Sequence, residues 1–294
     1  MGKREINEGA IYKAAIAFLL NQRDKGITRE LLDCFFKQDG QGKKKPNSLS
    51  GIYLTLLKSA ENAQGKSNII GKSLGEGGVE RLGAVLNNFD PRYVKETFTR
   101  WEELFDTIKI KLQPRGKMLK DPHSTWPNYC RTIIDSANFL SGFKSAEEFY
   151  RFIDPFANHP DPRVYLAVPI LIDDAIKGIG YALACDFLMA LGYQNYGKPD
   201  IHIKTILSKL GVCNSEDHNY DFSLALYRIA KKARVSPRMV DRVLWLIGSG
   251  NFRECTDSIG KNGRLPGMTA DFIRFATKKI YYSARRGPDD IIVN

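Results

Sequence analysis

The chain has few of the residues that build disulfide frameworks and metal centres. Its 294 residues include five cysteines and four histidines, and no two cysteines form a Cys-x-x-Cys pair. An odd number of scattered cysteines excludes a fully paired disulfide scaffold, a zinc knuckle and a cysteine-ligated cluster. Reduced thiols, as in the cytosol, are the simplest interpretation. The histidines also lack metal-ligand spacing, so no metal held by side chains is expected.

Long hydrophobic runs are also lacking. The longest apolar stretches fall well short of the ~20 residues that cross a bilayer. Acidic Glu5 and Glu8 precede the first apolar segment, which does not fit a signal peptide. We therefore expect a soluble, cytoplasmic protein without a membrane span.

Strand patterns are scarce, whereas helical periodicity is frequent. Apolar residues from Val94 to Leu112 alternate four- and three-residue steps, which predicts one helix of about 20 residues. The fold class is therefore predicted to be all-α, with short connections rich in glycine and proline. Helices also fit residues 48–63, 124–141, 145–153, 162–176, 180–192, 201–210, 219–233, 237–248 and 269–284.

Positive charge is in excess. Lysine and arginine total 44 against 33 aspartate and glutamate, which gives a formal net charge of +11. A polyanionic partner is the direct physical interpretation, because each phosphate that a protein neutralises releases counterions. The alternative is a basic protein whose lysines are simply solvated.

A Gly-x-Gly turn, Gly178-Ile179-Gly180, separates two apolar helical segments. Glycines allow a sharp turn and a close approach of the backbone to a ligand. The first N–H groups of the following helix are unpaired within it, and with the helix dipole they form an anion site. Lys177 adds a charge beside this site. The alternative is a plain joint between helices without a ligand.

A second segment, Gly197-Lys198-Pro199-Asp200, comes just before the next predicted helix. An aspartate there is an ordinary N-cap when considered alone. The Gly-x-Gly turn and its two flanking helices form a helical hairpin. Asp200 follows Ala182, in the second helix of this hairpin, by only 18 residues. A loop of that length predicts that the carboxylate returns to the phosphate-binding side of the hairpin.

Together these two segments resemble the helix-hairpin-helix, Gly-Pro-Asp (HhH-GPD) superfamily of base-excision DNA glycosylases. The string Asp200-Ile201-His202-Ile203 is similar to the Asp-x-His-hydrophobic string of endonuclease III-like members. The resemblance covers about residues 160–212. It implies a two-lobed helical monomer that binds double-stranded DNA, flips out a base and uses Asp200 as its catalytic carboxylate. Residues 65–294 would form the glycosylase core, and residues 1–64 an N-terminal helical extension.

The resemblance also implies roles for neighbouring residues. Tyr181 and Tyr196 are candidates for the base pocket, although each also fits a core position, and His202 also fits a structural cap. A monovalent cation would be held by backbone carbonyls of the hairpin, and an iron–sulfur cluster is excluded because only Cys213 and Cys255 follow Asp200. The implied DNA-binding residues are Lys177, Gly178, Ile179, Gly180, Ala182, Lys198, His202 and Lys204.

Ala182 stands where bifunctional members carry the lysine that forms a Schiff base. Alanine has no nucleophile, so we predict a monofunctional enzyme that hydrolyses with water. The alternative is that the amine of Lys198 serves as the nucleophile.

The sequence does not identify the base that is excised. Alkylated purines, oxidised guanine, mispaired adenine and deaminated bases all remain open as substrates, as does a modified base in invading viral DNA, which would indicate a defence role. The competing hypotheses are a non-catalytic helix-hairpin-helix DNA-binding or architectural protein and a helical interaction scaffold.

Overall fold

The computed structural model describes residues 6–40, 44–62, 69–253 and 255–282, and these fold almost entirely into helices. The first helices are α1 (Glu8–Leu20), α2 (Arg29–Gly40), α3 (Leu49–Glu61), α4 (Ile70–Leu74), α5 (Pro91–Thr97), α6 (Trp101–Leu112), α7 (Thr125–Leu140) and α8 (Ala146–Ala157). They are followed by α9 (Pro162–Tyr165), α10 (Val168–Ala175), α11 (Tyr181–Ala190), α12 (Ile201–Lys209), α13 (Asn219–Ala233), α14 (Pro237–Ser249) and α15 (Thr269–Tyr282).

Extended pairing is minimal in the described part of the chain. It consists of isolated bridges from Arg264 to Asn251 and to Gly260. The prediction of an all-α fold is confirmed for these residues. The helices divide into two compact units, which is the number that the resemblance implies.

One unit combines residues 1–43 with residues 194–294. Its helix α1 packs against α13, α14 and α15, and α12 packs against α13 and α14. Phe18, Leu226, Leu244 and Phe272 are among the side chains in its hydrophobic core. This core holds α12 and α14 in contact, which matters for the candidate site.

The other unit takes residues 44–193, and α7 is its central helix. Helices α3, α5 and α6 pack against α7, and α11 packs against α3 and α10. Two buried tyrosines bind α3 to α7: Tyr53 Oη donates to the Ile133 carbonyl at 2.6 Å, and Tyr129 Oη donates to the Leu57 carbonyl at 3.0 Å. These bonds satisfy buried hydroxyls and fix α7 in place.

This division groups the first 64 residues in a way that the sequence does not predict. Helix α1 belongs to the unit of residues 1–43 and 194–294, whereas α3 packs inside the unit of residues 44–193. Whether residues 1–64 extend beyond a glycosylase core stays a prediction.

Two predicted helices are each interrupted. The seam from Val94 to Leu112 is formed by α5 and α6, because Phe98 between them is extended, with φ −120° and ψ 100°. Both helices pack against α7, so the apolar seam is buried without one continuous helix. The β-branched Thr97 and Thr99 beside Phe98 are weak helix formers, which favours the break.

The helix predicted over 162–176 is likewise α9 followed by α10. Pro169 lies in the first turn of α10, where its missing N–H costs nothing. A helix that ran on through Pro169 would lose a backbone hydrogen bond and clash with the preceding turn, so a new helix begins here. The remaining predicted helices from 124 onward agree with the observed ones within a few residues.

None of the described helices combines the length and the apolar character needed to cross a bilayer. Within the described ranges, no three His, Cys, Asp or Glu side chains converge on a site that could hold a metal ion.

Candidate functional site

The hairpin turn joins α10 to α11 through residues 176–180. Ile176 leaves the helix in an extended conformation, and the Ile179 N–H donates to its carbonyl at 3.1 Å. Gly178 has φ +86°, in the left-handed region, and Gly180 is the extended N-cap of α11. The sharp turn predicted from the Gly-x-Gly motif is therefore present.

Two side chains of helix α7 bind the backbone of this turn. Thr132 Oγ1 donates to the Lys177 carbonyl at 2.8 Å, and Asp135 Oδ2 accepts from the Lys177 N–H at 3.3 Å. A methyl group on Gly178 would overlap Thr132 Oγ1. Glycine is thus required at 178 by both its left-handed φ and the contact with α7.

The other side of the turn is open. A methyl group on Gly180 would meet no heavy atom within 4 Å. Among the described residues no acceptor is recorded for the N–H groups of Gly178, Gly180 and Ala182. The Tyr181 N–H, in contrast, donates to Asp173 Oδ2 at 3.0 Å. Unpaired N–H groups at a helix start are the geometry that binds anions, and Asp173 already uses one of the donors.

Side chains next to the turn differ in exposure. Lys177 is exposed, Ala182 is half-buried and Ile179 is buried. Tyr181 is 4% exposed, and its hydroxyl donates to the Leu166 carbonyl at 3.1 Å. Tyr196 is 0% exposed. Both tyrosines occupy buried positions, and their assignment to a base pocket stays a prediction.

Asp200 is the N-cap of α12. Its Oδ1 accepts from the His202 N–H at 2.9 Å and from the Ile203 N–H at 3.1 Å. The side chain is half-buried, and no described residue is recorded as donating to Oδ2. Capping therefore occupies one carboxylate oxygen and leaves the other for a different partner.

His202 and Lys204 follow on α12 and make contacts within the fold. A methyl group on Gly248 of α14 would lie 2.6 Å from His202 Cβ and 2.9 Å from His202 Cγ, so the histidine packs closely on α14. Lys204 Nζ lies 5.6 Å from the centroid of the Phe222 ring, a cation–π distance. Contacts of either residue with DNA stay a prediction.

The turn before Asp200 packs against α14 through a residue that the sequence analysis missed. Asp241 is 5% exposed, and its Oδ1 accepts from the Lys198 N–H at 3.1 Å. A methyl group on Gly197 would lie 2.7 Å from Leu226 Cδ1 and 3.1 Å from Asp241 Cβ. Arg238 and Arg242 stand beside Asp241 on α14, so the sequence carries no local signal that this carboxylate is buried.

Burial raises the pKa of the Asp241 carboxyl well above its ordinary value, and the negative charge of Asp200 raises it further. The Arg242 guanidinium and the Lys198 N–H and ammonium act in the opposite direction. The net effect favours a protonated Asp241 beside Asp200.

The hairpin turn and Asp200 belong to different units of the fold. That both face the same nucleotide stays a prediction.

No known family model matches the sequence, and no curated protein matches it at a significant level. Among solved structures, the chain is similar to an 8-oxoguanine glycosylase/lyase of Methanocaldococcus jannaschii, in complex with a 15mer DNA containing 8-oxoguanine. The TM-score is 0.46 and the sequence identity 18%, over 81% of this chain and 96% of the other. A likeness at this level assigns neither a family nor an activity.

Proposed function

We propose that this chain is a DNA glycosylase of the HhH-GPD type. It binds duplex DNA through the hairpin turn, flips out a damaged or modified base and hydrolyses the N-glycosidic bond with Asp200 as the catalytic carboxylate. The observation that carries the proposal is the hairpin turn, where the N–H groups of Gly178, Gly180 and Ala182 have no recorded acceptor among the described residues and the space in front of Gly180 is open.

A DNA phosphate is the anion that fits this turn. The backbone donors need close approach, and the open space in front of Gly180 permits it. Lys177 is exposed beside them, and the net charge of +11 attracts a polyanion over longer distances. A neutral ligand would not be attracted by these positive charges.

Asp200 has the chemistry that glycosidic-bond cleavage needs. When the bond breaks, the base leaves with the bonding electrons and the sugar develops oxocarbenium character. A carboxylate stabilises that positive charge and orients or deprotonates the attacking water. Two N–H groups hold Oδ1 of Asp200, which supports a fixed orientation while Oδ2 is available. Flipping the base costs a few kcal/mol, which binding of the extruded nucleotide returns.

The enzyme is monofunctional in this proposal. Ala182 presents a methyl group where an attacking amine would be needed, so water is the nucleophile. Water adds to the sugar carbon, the glycosidic bond breaks, and the base leaves with the electron pair and takes up a proton.

The monovalent cation that the resemblance implies is assigned in this proposal to two hairpin carbonyls. The carbonyls of Ile176 and Lys177 already accept bonds from Ile179 and Thr132, and no protein donor is recorded within the described residues for those of Gly178 and Ile179. These two would hold the ion, which supplies positive charge next to the phosphate.

The decisive experiment measures free bases by mass spectrometry after incubation with duplexes carrying alkylated, oxidised, mispaired, deaminated and otherwise modified bases. We expect the wild type to release at least one base. Asp200→Asn should release it about 10²–10³-fold more slowly, because the charge is lost, while DNA binding persists. Asparagine caps a helix as well as aspartate does, so the fold should be kept.

Asp90→Asn is the matched control. Asp90 caps α5 in the other unit, and its Oδ1 accepts from the N–H groups of Arg92 and Tyr93 at 2.9 and 3.4 Å. This variant should release the base at the wild-type rate. Unchanged release by Asp200→Asn would show that Asp200 is only a cap. Tight DNA binding without release from any duplex would favour the non-catalytic DNA-binding protein.

Borohydride trapping tests the monofunctional mechanism. We expect no covalent adduct between protein and DNA under conditions in which base release is complete. A trapped adduct that disappears in Lys198→Ala would instead identify Lys198 as a nucleophile.

A further inference from the structure

Asp241 is a buried acid whose position needs a physical explanation. Moving a carboxyl group out of water costs several kcal/mol unless its oxygens are hydrogen-bonded. A leucine at this point of α14 would avoid that cost. The bond from the Lys198 N–H at 3.1 Å is an interaction that leucine could not make.

That bond connects Asp241 to Asp200 through the backbone of Lys198. The Lys198 N–H donates to Asp241 Oδ1, and the Lys198 carbonyl accepts from the Asp200 N–H at 2.7 Å. Gly197, just before, packs closely on the same helices: a methyl group there would lie 2.7 Å from Leu226 Cδ1 of α13 and 3.1 Å from Asp241 Cβ of α14. The backbone that carries the Asp200 side chain is therefore held at two points, by the Lys198–Asp241 bond and by the packing of Gly197.

We propose that Asp241 is a positioning residue for Asp200: its carboxyl oxygen holds the Lys198 peptide and thereby sets where the Asp200 carboxylate lies. This inference rests on the proposed function, in which Asp200 acts at the sugar.

The charge state of Asp241 fits this role. Burial, and secondly the charge of Asp200, raise the pKa of Asp241. A neutral Asp241 still accepts the Lys198 bond through its carbonyl oxygen, and it adds no second negative charge beside Asp200. Asparagine, which is neutral and has the same acceptor, should therefore replace it.

The test compares Asp241→Leu with Asp241→Asn in single-turnover base release and in affinity for the same duplex. Asp241→Leu should slow release on the order of 10²-fold, the effect of misplacing a catalytic group by about 1 Å. Its affinity for DNA should fall much less than its rate. Asp241→Asn should keep a rate close to that of the wild type.

Two further variants separate positioning from stability. Val243→Ala removes buried volume from α14 two residues away and should lower the melting temperature while keeping the rate. Gly197→Ala pushes the turn away from Leu226 and Asp241 and should slow release without touching either carboxyl group. Gly197→Ala also keeps the inference testable if Asp241→Leu does not fold.

Hydrogen exchange at the Lys198 amide gives a measurement independent of base release. Exchange should be slow in the wild type and in Asp241→Asn, and faster in Asp241→Leu. Wild-type rates of release in Asp241→Leu, or equal losses in Asp241→Asn and Asp241→Leu, would overturn the inference. A wild type that releases no base from any duplex, with Lys198 exchange as expected, would overturn the proposed function instead.

Discussion

The two turns that carry the candidate functional residues, one in each unit, are each anchored by another helix, but they present different groups. The hairpin turn, residues 176–180, is bound through its backbone by Thr132 and Asp135 of α7 and carries backbone N–H groups that have no recorded acceptor among the described residues. The turn at residues 197–200 is bound by Asp241 of α14 and presents a carboxylate oxygen. In both turns, some atoms bind the supporting helix, while the atoms proposed to bind DNA or act on the sugar are different ones.

The glycines of the two turns also differ in what a side chain added to them would meet. Gly178 and Gly197 face neighbouring helices: a methyl group on Gly178 would overlap Thr132 of α7, and one on Gly197 would crowd Leu226 of α13 and Asp241 of α14. Gly180 faces open space. Substitution at these positions therefore distinguishes support from recognition.

The largest expected effect comes from Gly178→Ala. The new methyl group overlaps Thr132 and the residue must adopt a left-handed φ, which together should cost roughly 2–4 kcal/mol of unfolding free energy. Denaturant unfolding measures the loss. In a Thr132→Ala background the overlap is gone, so Gly178→Ala should cost less there. Equal costs in both backgrounds would show that α7 does not support the turn through this contact.

A smaller effect is expected for the pH dependence of stability at the other turn. The pKa of Asp241 is raised in the folded state, so above its unfolded value of 3.8 the folded state keeps a proton that the unfolded state releases. The free energy of unfolding therefore falls as the pH rises from the unfolded-state pKa towards the folded-state pKa. Below the unfolded-state pKa, Asp241 causes no such loss. Asp241→Asn does not titrate and should gain stability relative to the wild type between about pH 4 and pH 7.

Denaturant midpoints at both pH values measure this difference. The ionisable groups that act on Asp241 are Asp200, Lys198 and Arg242. Val243→Ala, which removes no ionisable group from α14, serves as the control and should show no such gain. A constant difference between Asp241→Asn and the wild type would mean that Asp241 is already ionised.

The smallest effect is expected at Gly180. Its φ of −72° suits any residue and its surroundings are open, so Gly180→Ala should cost no more than about 1 kcal/mol of stability, the effect of a poorer N-cap on α11. The added methyl group should hinder a phosphate and weaken DNA binding by about 1 kcal/mol. Titration with duplex DNA at fixed salt measures this, with the exposed Gly142→Ala as the control. Undiminished affinity would indicate that no phosphate approaches this turn.

Local patterns in the sequence predict much of the fold. Helical periodicity bounded by Pro237 and by Gly250 gives α14, and the spacing of Gly178 and Gly180 gives the hairpin turn. Asp200 is predictable as a cap because capping depends on residues two and three positions ahead.

Contacts between distant segments are not predictable in this way. The Lys198–Asp241 bond joins residues 43 positions apart, and neither residue carries a local sign of it. The sequence does not predict the break at Phe98 for a related reason. The apolar spacing is the same whether one helix or two pack on α7. The burial of Tyr181 and Tyr196 likewise depends on neighbours that periodicity does not reveal.

The chain order of the two units has a consequence for biosynthesis. Helix α1 packs against α13 and α15, which the ribosome makes about 200 residues later. At ~5–20 residues per second, α1 emerges roughly 10–40 s before its partners exist. The unit of residues 44–193 is continuous in sequence and can complete its core during that delay. Nascent α1 must therefore keep Phe18 and Leu19 from aggregation until translation is nearly finished.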